Sequence, residues 1–99
     1  MKIENLVINE QLEKYVNDYE EYIKCKQEIE ELHNEMYLDL DFEELFEKSR
    51  VTEKEKSTYI KNTEEYKKLQ HKFIDIKVRF TKNKEIYEIM KILLKDNEF

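Results

Sequence analysis

The sequence predicts an all-α protein: a small helical bundle, or an elongated helical hairpin, with one long C-terminal helix and coiled-coil-like packing. Three observations predict it. One heptad column in the C-terminal half reads Tyr59, Tyr66, Phe73, Phe80, Tyr87, Leu94 without a polar interruption, and at 3.6 residues per turn a strict seven-residue spacing keeps returning to one side of a helix. The 99 residues include no Gly and no Pro. Nothing therefore breaks a helix cheaply, and long helices joined by short polar connections are favoured. The only stretch with a strand-like alternation, Tyr37 to Phe42 (YLDLDF), has no second run to pair with.

A chain of this length reads as one domain, 1–99, which buries about 60 to 65% of its unfolded surface, a thin margin that self-association would widen. Ala and Trp are missing, while Lys far outnumbers Arg. Ala is the best helix former, so its absence has no structural motive in a helical protein. Gly, Pro and Ala share GC-rich codons, which points to the AT-rich genome of a low-GC bacterium or of one of its phages. Charged residues reach 42% and mean hydropathy is -0.93, a composition close to that of disordered chains; the periodicity argues for folding instead. A single Cys25 rules out an internal disulfide, and the absence of a signal segment suggests the cytoplasm, the host's if the chain is phage-encoded. The most apolar run, Ile86 to Leu94, is interrupted by Glu88 and Lys91 and falls well short of the ~20 residues a membrane span needs.

Taken in order, Met1 to Ile8 fits an extended lead-in or a first helical turn. Asn9 is a fair N-cap for a first helix over about 10–36, whose apolar column is Tyr15, Tyr22, Ile29, Met36. The companion column Leu12, Tyr19, Lys26, His33 turns polar toward its end. YLDLDF is read as a connection. Asp41 with Glu44 has the form of a capping box and starts a short helix over 42–50, with Phe42, Leu45 and Phe46 on its apolar face. Thr52 with Glu55 repeats the signal and starts the long helix, 53–95. A continuous helix of that length would measure about 65 Å, against a radius of gyration near 13 Å for a compact domain of this size. It therefore stands out as a rod covered by another chain, or breaks near 62 or 83. The unbroken aromatic column favours continuity; a second Asx capping signal at Asn62 with Glu65 favours a break. The neighbouring column Asn62, Leu69, Ile76, Asn83, Met90 would bury Asn83, the device by which coiled coils fix register, or else leave it facing solvent.

Charge is unevenly placed. The net charge is -6, but residues 1–50 hold six basic and fifteen acidic side chains whereas residues 51–99 hold twelve and nine. That suits antiparallel pairing of the first helix with the last, in one chain or between two copies, and opposes non-specific nucleic-acid binding.

No catalytic constellation emerges. His33 and His71 stand without a motif, no Cys pair has metal-ligand spacing, and a phosphate-cradling loop is excluded without Gly; neither cofactor nor metal is expected, and the protein reads as no enzyme. Cys25 reads as a small buried hydrophobe. Three surfaces remain. The acidic cluster Asp39, Asp41, Glu43, Glu44, Glu47 could imitate nucleic-acid phosphates and occupy a basic groove on a partner protein. Tyr66, Phe73, Phe80 and Tyr87 form one ridge, and the apolar end Ile86, Tyr87, Ile89, Met90, Ile92, Leu93 and Leu94 covers more than one face; together they suggest a homodimer interface. Lys61, Lys68, Lys72 and Arg79 form a stripe that either tracks a phosphate backbone or pairs with Glu20, Glu28, Glu31 or Glu35 across a helix interface. The expected function is a non-enzymatic protein–protein interaction module, a small acidic regulator or inhibitor, with nucleic-acid binding through the basic stripe as the alternative.

Overall fold

Residues 5–97 are described by a computed structural model, with side chains from Val7 to Lys95. Of these residues 89% are helical and none forms a strand. Four helices follow one another: α1 Asn5–Asp39, α2 Phe42–Phe46, α3 Glu53–Lys61 and α4 Glu64–Asn97. No helix among the described residues is long and apolar enough to cross a membrane.

α1 begins before Asn9, which lies inside it and caps nothing. The reason is the stripe itself: Ile8 and Gln11 are both buried, so the face that holds α1 in place already needs helix at Ile8. Residues 1–4 lie outside the described part. At its other end α1 runs to Asp39 and takes in the first half of YLDLDF. Asp41 then caps α2 by accepting a hydrogen bond from the Glu44 amide at 3.2 Å. α2 stops at Phe46, short of Arg50, because Glu47 turns into the left-handed region at φ 53°. Its amide and that of Lys48 close back on Glu44 O and Glu43 O, the hydrogen-bond pair of a Schellman cap. With the helix that short, Phe42 is buried and Leu45 points to solvent.

α3 starts on a complete capping box between Thr52 and Glu55. The break in the long C-terminal helix falls at Asn62–Thr63; α4 passes through Asn83 unbroken. Asn62 closes α3, its Nδ2 donating to Thr58 O at 2.8 Å, and the cap of α4 is its neighbour: Thr63 Oγ1 accepts from the Tyr66 amide at 3.4 Å. Asn62 is exposed, so its column enters the protein only from Leu69 onward.

The chain divides into two compact units: a first, of which residues 5–24 and 73–97 are described, and a second, Cys25–Lys72. In the first, α1 and α4 pair antiparallel, since Gln11 meets Asn83, Tyr15 meets Phe80 and Tyr22 meets Phe73. Its buried apolar side chains among the described residues are Ile8 and Ile76. In the second, Cys25 meets Leu69 and Glu28 meets Lys72, again antiparallel, while α2 and α3 contribute the buried Phe42 and Ile60. The pairing suggested by the charge asymmetry is thus made within one chain.

Candidate functional site

The inward column of α1 is Ile8, Tyr15, Tyr22, Ile29, Met36, and its companion is Gln11, Asp18, Cys25, Leu32. The expected companion, one residue along, holds the exposed Tyr19 and Lys26. Two polar residues therefore face α4 from a buried column. Gln11 Nε2 donates to Asn83 O at 3.1 Å and Asn83 Oδ1 at 3.2 Å, Asn83 Nδ2 donates to Asp18 Oδ2, and Arg79 Nε donates to Asp18 Oδ1 at 2.9 Å. Arg79 also reaches Glu21. Burial lowers the Arg79 pKa, and the carboxylates of Asp18 and Glu21 more than restore it. Among the described residues no buried side-chain nitrogen or oxygen lacks a partner. Asn83 is the register-setting residue of this unit, because a shift by one residue would leave Gln11 and Asp18 buried without partners.

The aromatic ridge of α4 closes over this layer. Phe80 lies 5.6 Å from Tyr15 and 5.3 Å from Tyr22, centroid to centroid. Tyr87 stacks on Tyr15 at 5.9 Å, and Phe73 on Tyr22 at 5.2 Å. In the second unit Tyr66 lies edge-on to His33 at 6.5 Å. The ridge proposed as a dimer interface is thus spent on α1 of its own chain. Ile86, Met90 and Leu94 are half-buried, whereas Leu93 is exposed together with Ile89 and Ile92.

The basic stripe does not stay together. Lys61 belongs to α3, beyond the break, while Lys68, Lys72 and Arg79 are on α4. Lys72 pairs with Glu28 at 3.7 Å and Arg79 with Asp18 at 2.9 Å, so two of the four bases already serve helix pairing.

The acidic corner of the second unit is arranged differently. Asp39, Asp41, Glu43, Glu44 and Glu47 are all exposed, and among the described residues none of them enters an ion pair, in contrast to Asp18, Glu21, Glu28 and Glu55. Beside them lies an open cavity of about 220 Å³ lined by Tyr37, Leu40, Phe42 and Val51, with Asp41, Glu43 and Lys56 also on its wall. Lys56 Nζ sits 5.1 Å from the Tyr37 ring centre and 5.6 Å from that of Phe42, so its charge is held over aromatic faces. Tyr37 donates to Glu53 at 3.0 Å, which pushes its hydroxyl pKa up. The ion pair with Lys48 at 2.5 Å holds Glu55 below the usual carboxylate range, helped by Thr52.

Cys25 is buried, with its Sγ 4.0 Å from Leu69 O. Burial pushes the thiol pKa up, against the pull of Lys72 and with the push of Glu28, and a protonated thiol is a poor nucleophile. His33 faces Ser57 Oγ at 3.3 Å and His71 is exposed. Among the described residues no three His, Cys, Asp or Glu side chains are grouped so as to hold a metal. No family model matches the chain, and neither does any curated protein or solved structure.

Proposed function

We propose that this chain is a non-enzymatic helical interaction module, an acidic regulator or inhibitor of the size and composition a phage would encode, which works by occupying a basic surface on another protein. One observation carries the reading: five carboxylates are gathered on the short stretch between Asp39 and Glu47, all exposed, and among the described residues none of them enters an ion pair. Like charges held side by side repel one another. A partner with a cationic groove, of the kind that ordinarily takes a nucleic-acid backbone, would relieve that repulsion. Asp41 has a second duty as the cap of α2, so the test leaves it in place. Glu43→Lys, Glu44→Lys and Glu47→Lys together should abolish capture of the partner from a host lysate while the helical signal is unchanged, and duplex DNA should compete with the wild-type chain for the captured protein. Undiminished capture by the triple variant would remove the corner from consideration.

The competing reading, direct nucleic-acid binding, would rest on Lys61 and Lys68, since Lys72 and Arg79 are engaged with carboxylates. It predicts a mobility shift of labelled duplex at about 50 mM salt that fades as salt rises.

A further inference from the structure

α4 carries two apolar faces, and the chain uses one. Phe73, Ile76, Phe80, Tyr87 and Met90 turn toward α1, whereas Ile74, Val78, Ile89 and Leu93 lie on the other side and are 48%, 63%, 56% and 45% exposed. At 100° per residue the mean directions of these two sets differ by more than a third of a turn. An unpartnered aliphatic row of this kind marks an association surface. What distinguishes the row is its order. Ile74, Val78, Lys82, Glu85, Ile89 and Leu93 follow one another at steps of four, four, three, four and four, a spacing that reads the same from either end. When a second α4 is turned end for end about an axis between Asn83 and Lys84, Ile74 comes opposite Leu93, Val78 opposite Ile89, and Lys82 opposite Glu85, each pairing made twice. On one flank Lys77 then falls beside Glu88. The only charges in the row are of opposite sign and are placed to meet, as a two-fold interface requires.

We infer that this face of α4 is the interface of an antiparallel homodimer, with the α4 of a second copy as its occupant. A foreign apolar helix would need neither the symmetric spacing nor the exchange of Lys82 with Glu85. The net charge of -6 is no obstacle, because between Phe73 and Lys95 α4 has six basic and three acidic side chains; the acidic surplus lies in the first half of the chain.

The test is sedimentation of the full chain and of charge variants. The wild-type chain should be a dimer at about 100 µM, and Lys82→Glu and Glu85→Lys should each raise the dimer dissociation constant about tenfold or more, since each sets like charges across the axis. An equimolar mixture of the two variants should recover wild-type affinity, because opposite charges face each other again in the mixed dimer. Val78→Ser with Ile89→Ser, which alters no charge, should weaken the dimer as well. These positions are exposed in the single chain, so circular dichroism should show every variant as helical as the wild type. A monomer at about 100 µM, a dimer indifferent to the variants, or a mixture no tighter than either variant alone would overturn the inference. None of these outcomes bears on the acidic corner, whose carboxylates lie at residues 39–47.

Discussion

At the scale of single residues, the chain shows what happens when a position that favours glycine has none to use. Left-handed backbone costs an ordinary residue about 1 to 2 kcal/mol, which is why Gly or Asn normally ends a helix there. Here Glu47 takes the position at φ 53°, in a stretch from Phe42 to Lys61 that holds no Gly, Asn or Asp. The Schellman hydrogen bonds of Glu47 and Lys48 to α2 over-determine the turn, and exposure of the side chain lets it accept the strain without losing contacts. Glu47→Gly should therefore stabilise the protein by about 0.5 to 1 kcal/mol, the relief of strain exceeding the extra entropy that Gly loses on folding. Urea unfolding read by circular dichroism measures it, and a lower midpoint would mean that the Glu47 side chain contributes more than its backbone costs. Asn83 makes the complementary point. Its place in the α4 column was legible, and so was the choice between register device and solvent-facing residue; its partners were not. Gln11 and Asp18 look like surface residues until they are aligned with Cys25 and Leu32 at seven-residue steps, the one signal in the sequence that marks a second inward column.

At the scale of elements, caps were easier to read than phases. Asp41 and Thr52 cap α2 and α3 as their spacing to Glu44 and Glu55 implies. The heptad column from Tyr59 to Leu94 holds from Tyr66 onward and fails at its first member. The break at Asn62–Thr63 is the cause, since two residues outside the helix reset the angle at which α3 presents its side chains. On α3 the inward residue becomes Ile60, 0% exposed, while Tyr59 is 36% exposed and meets Phe42 and Phe46 edge-on. A continuous helix would reverse that order. Ile60→Ala should cost about 2 to 4 kcal/mol through an unfilled space in the second unit, and Tyr59→Ala about 1 kcal/mol, the worth of its ring contacts. Denaturation of the two variants side by side decides the matter: a larger loss at Tyr59 would mean that the aromatic column governs α3 after all. The break itself was legible as an Asx capping signal. Its weight against an uninterrupted column was not, because the capping group is the Thr63 hydroxyl, and a lone Thr carries little information in a polar stretch.

At the scale of the whole molecule, helix content and antiparallel pairing followed from periodicity and from the opposed charge of the two halves. The surfaces left over did not, because the sequence marks a side chain as apolar without saying which neighbour covers it. The aromatic ridge looked like an interface between copies, and α1 of the same chain takes it. Ile89, part of the apolar end that the sequence marks as needing a cover, remains in water together with Ile74 and Val78, which lie outside the heptad columns. Among the described residues the buried apolar side chains are Ile8, Cys25, Phe42, Ile60 and Ile76, and of these Cys25 and Ile60 alone are fully covered. Each buried aliphatic is worth about 1.5 to 3 kcal/mol, and the conformational entropy it helps to offset grows with every ordered residue. A chain in that position gains more than most from covering the outer row of α4. Self-association that stabilises the folded state must, by mass action, raise the unfolding midpoint as protein concentration rises. The Tm of the wild-type chain should climb by several degrees between about 1 and 100 µM, on the size scaling expected for a domain of this length. The Val78→Ser, Ile89→Ser variant should show a Tm close to the dilute wild-type value at both concentrations. A wild-type Tm that stays constant over that range would mean that the single chain holds itself together without the second copy.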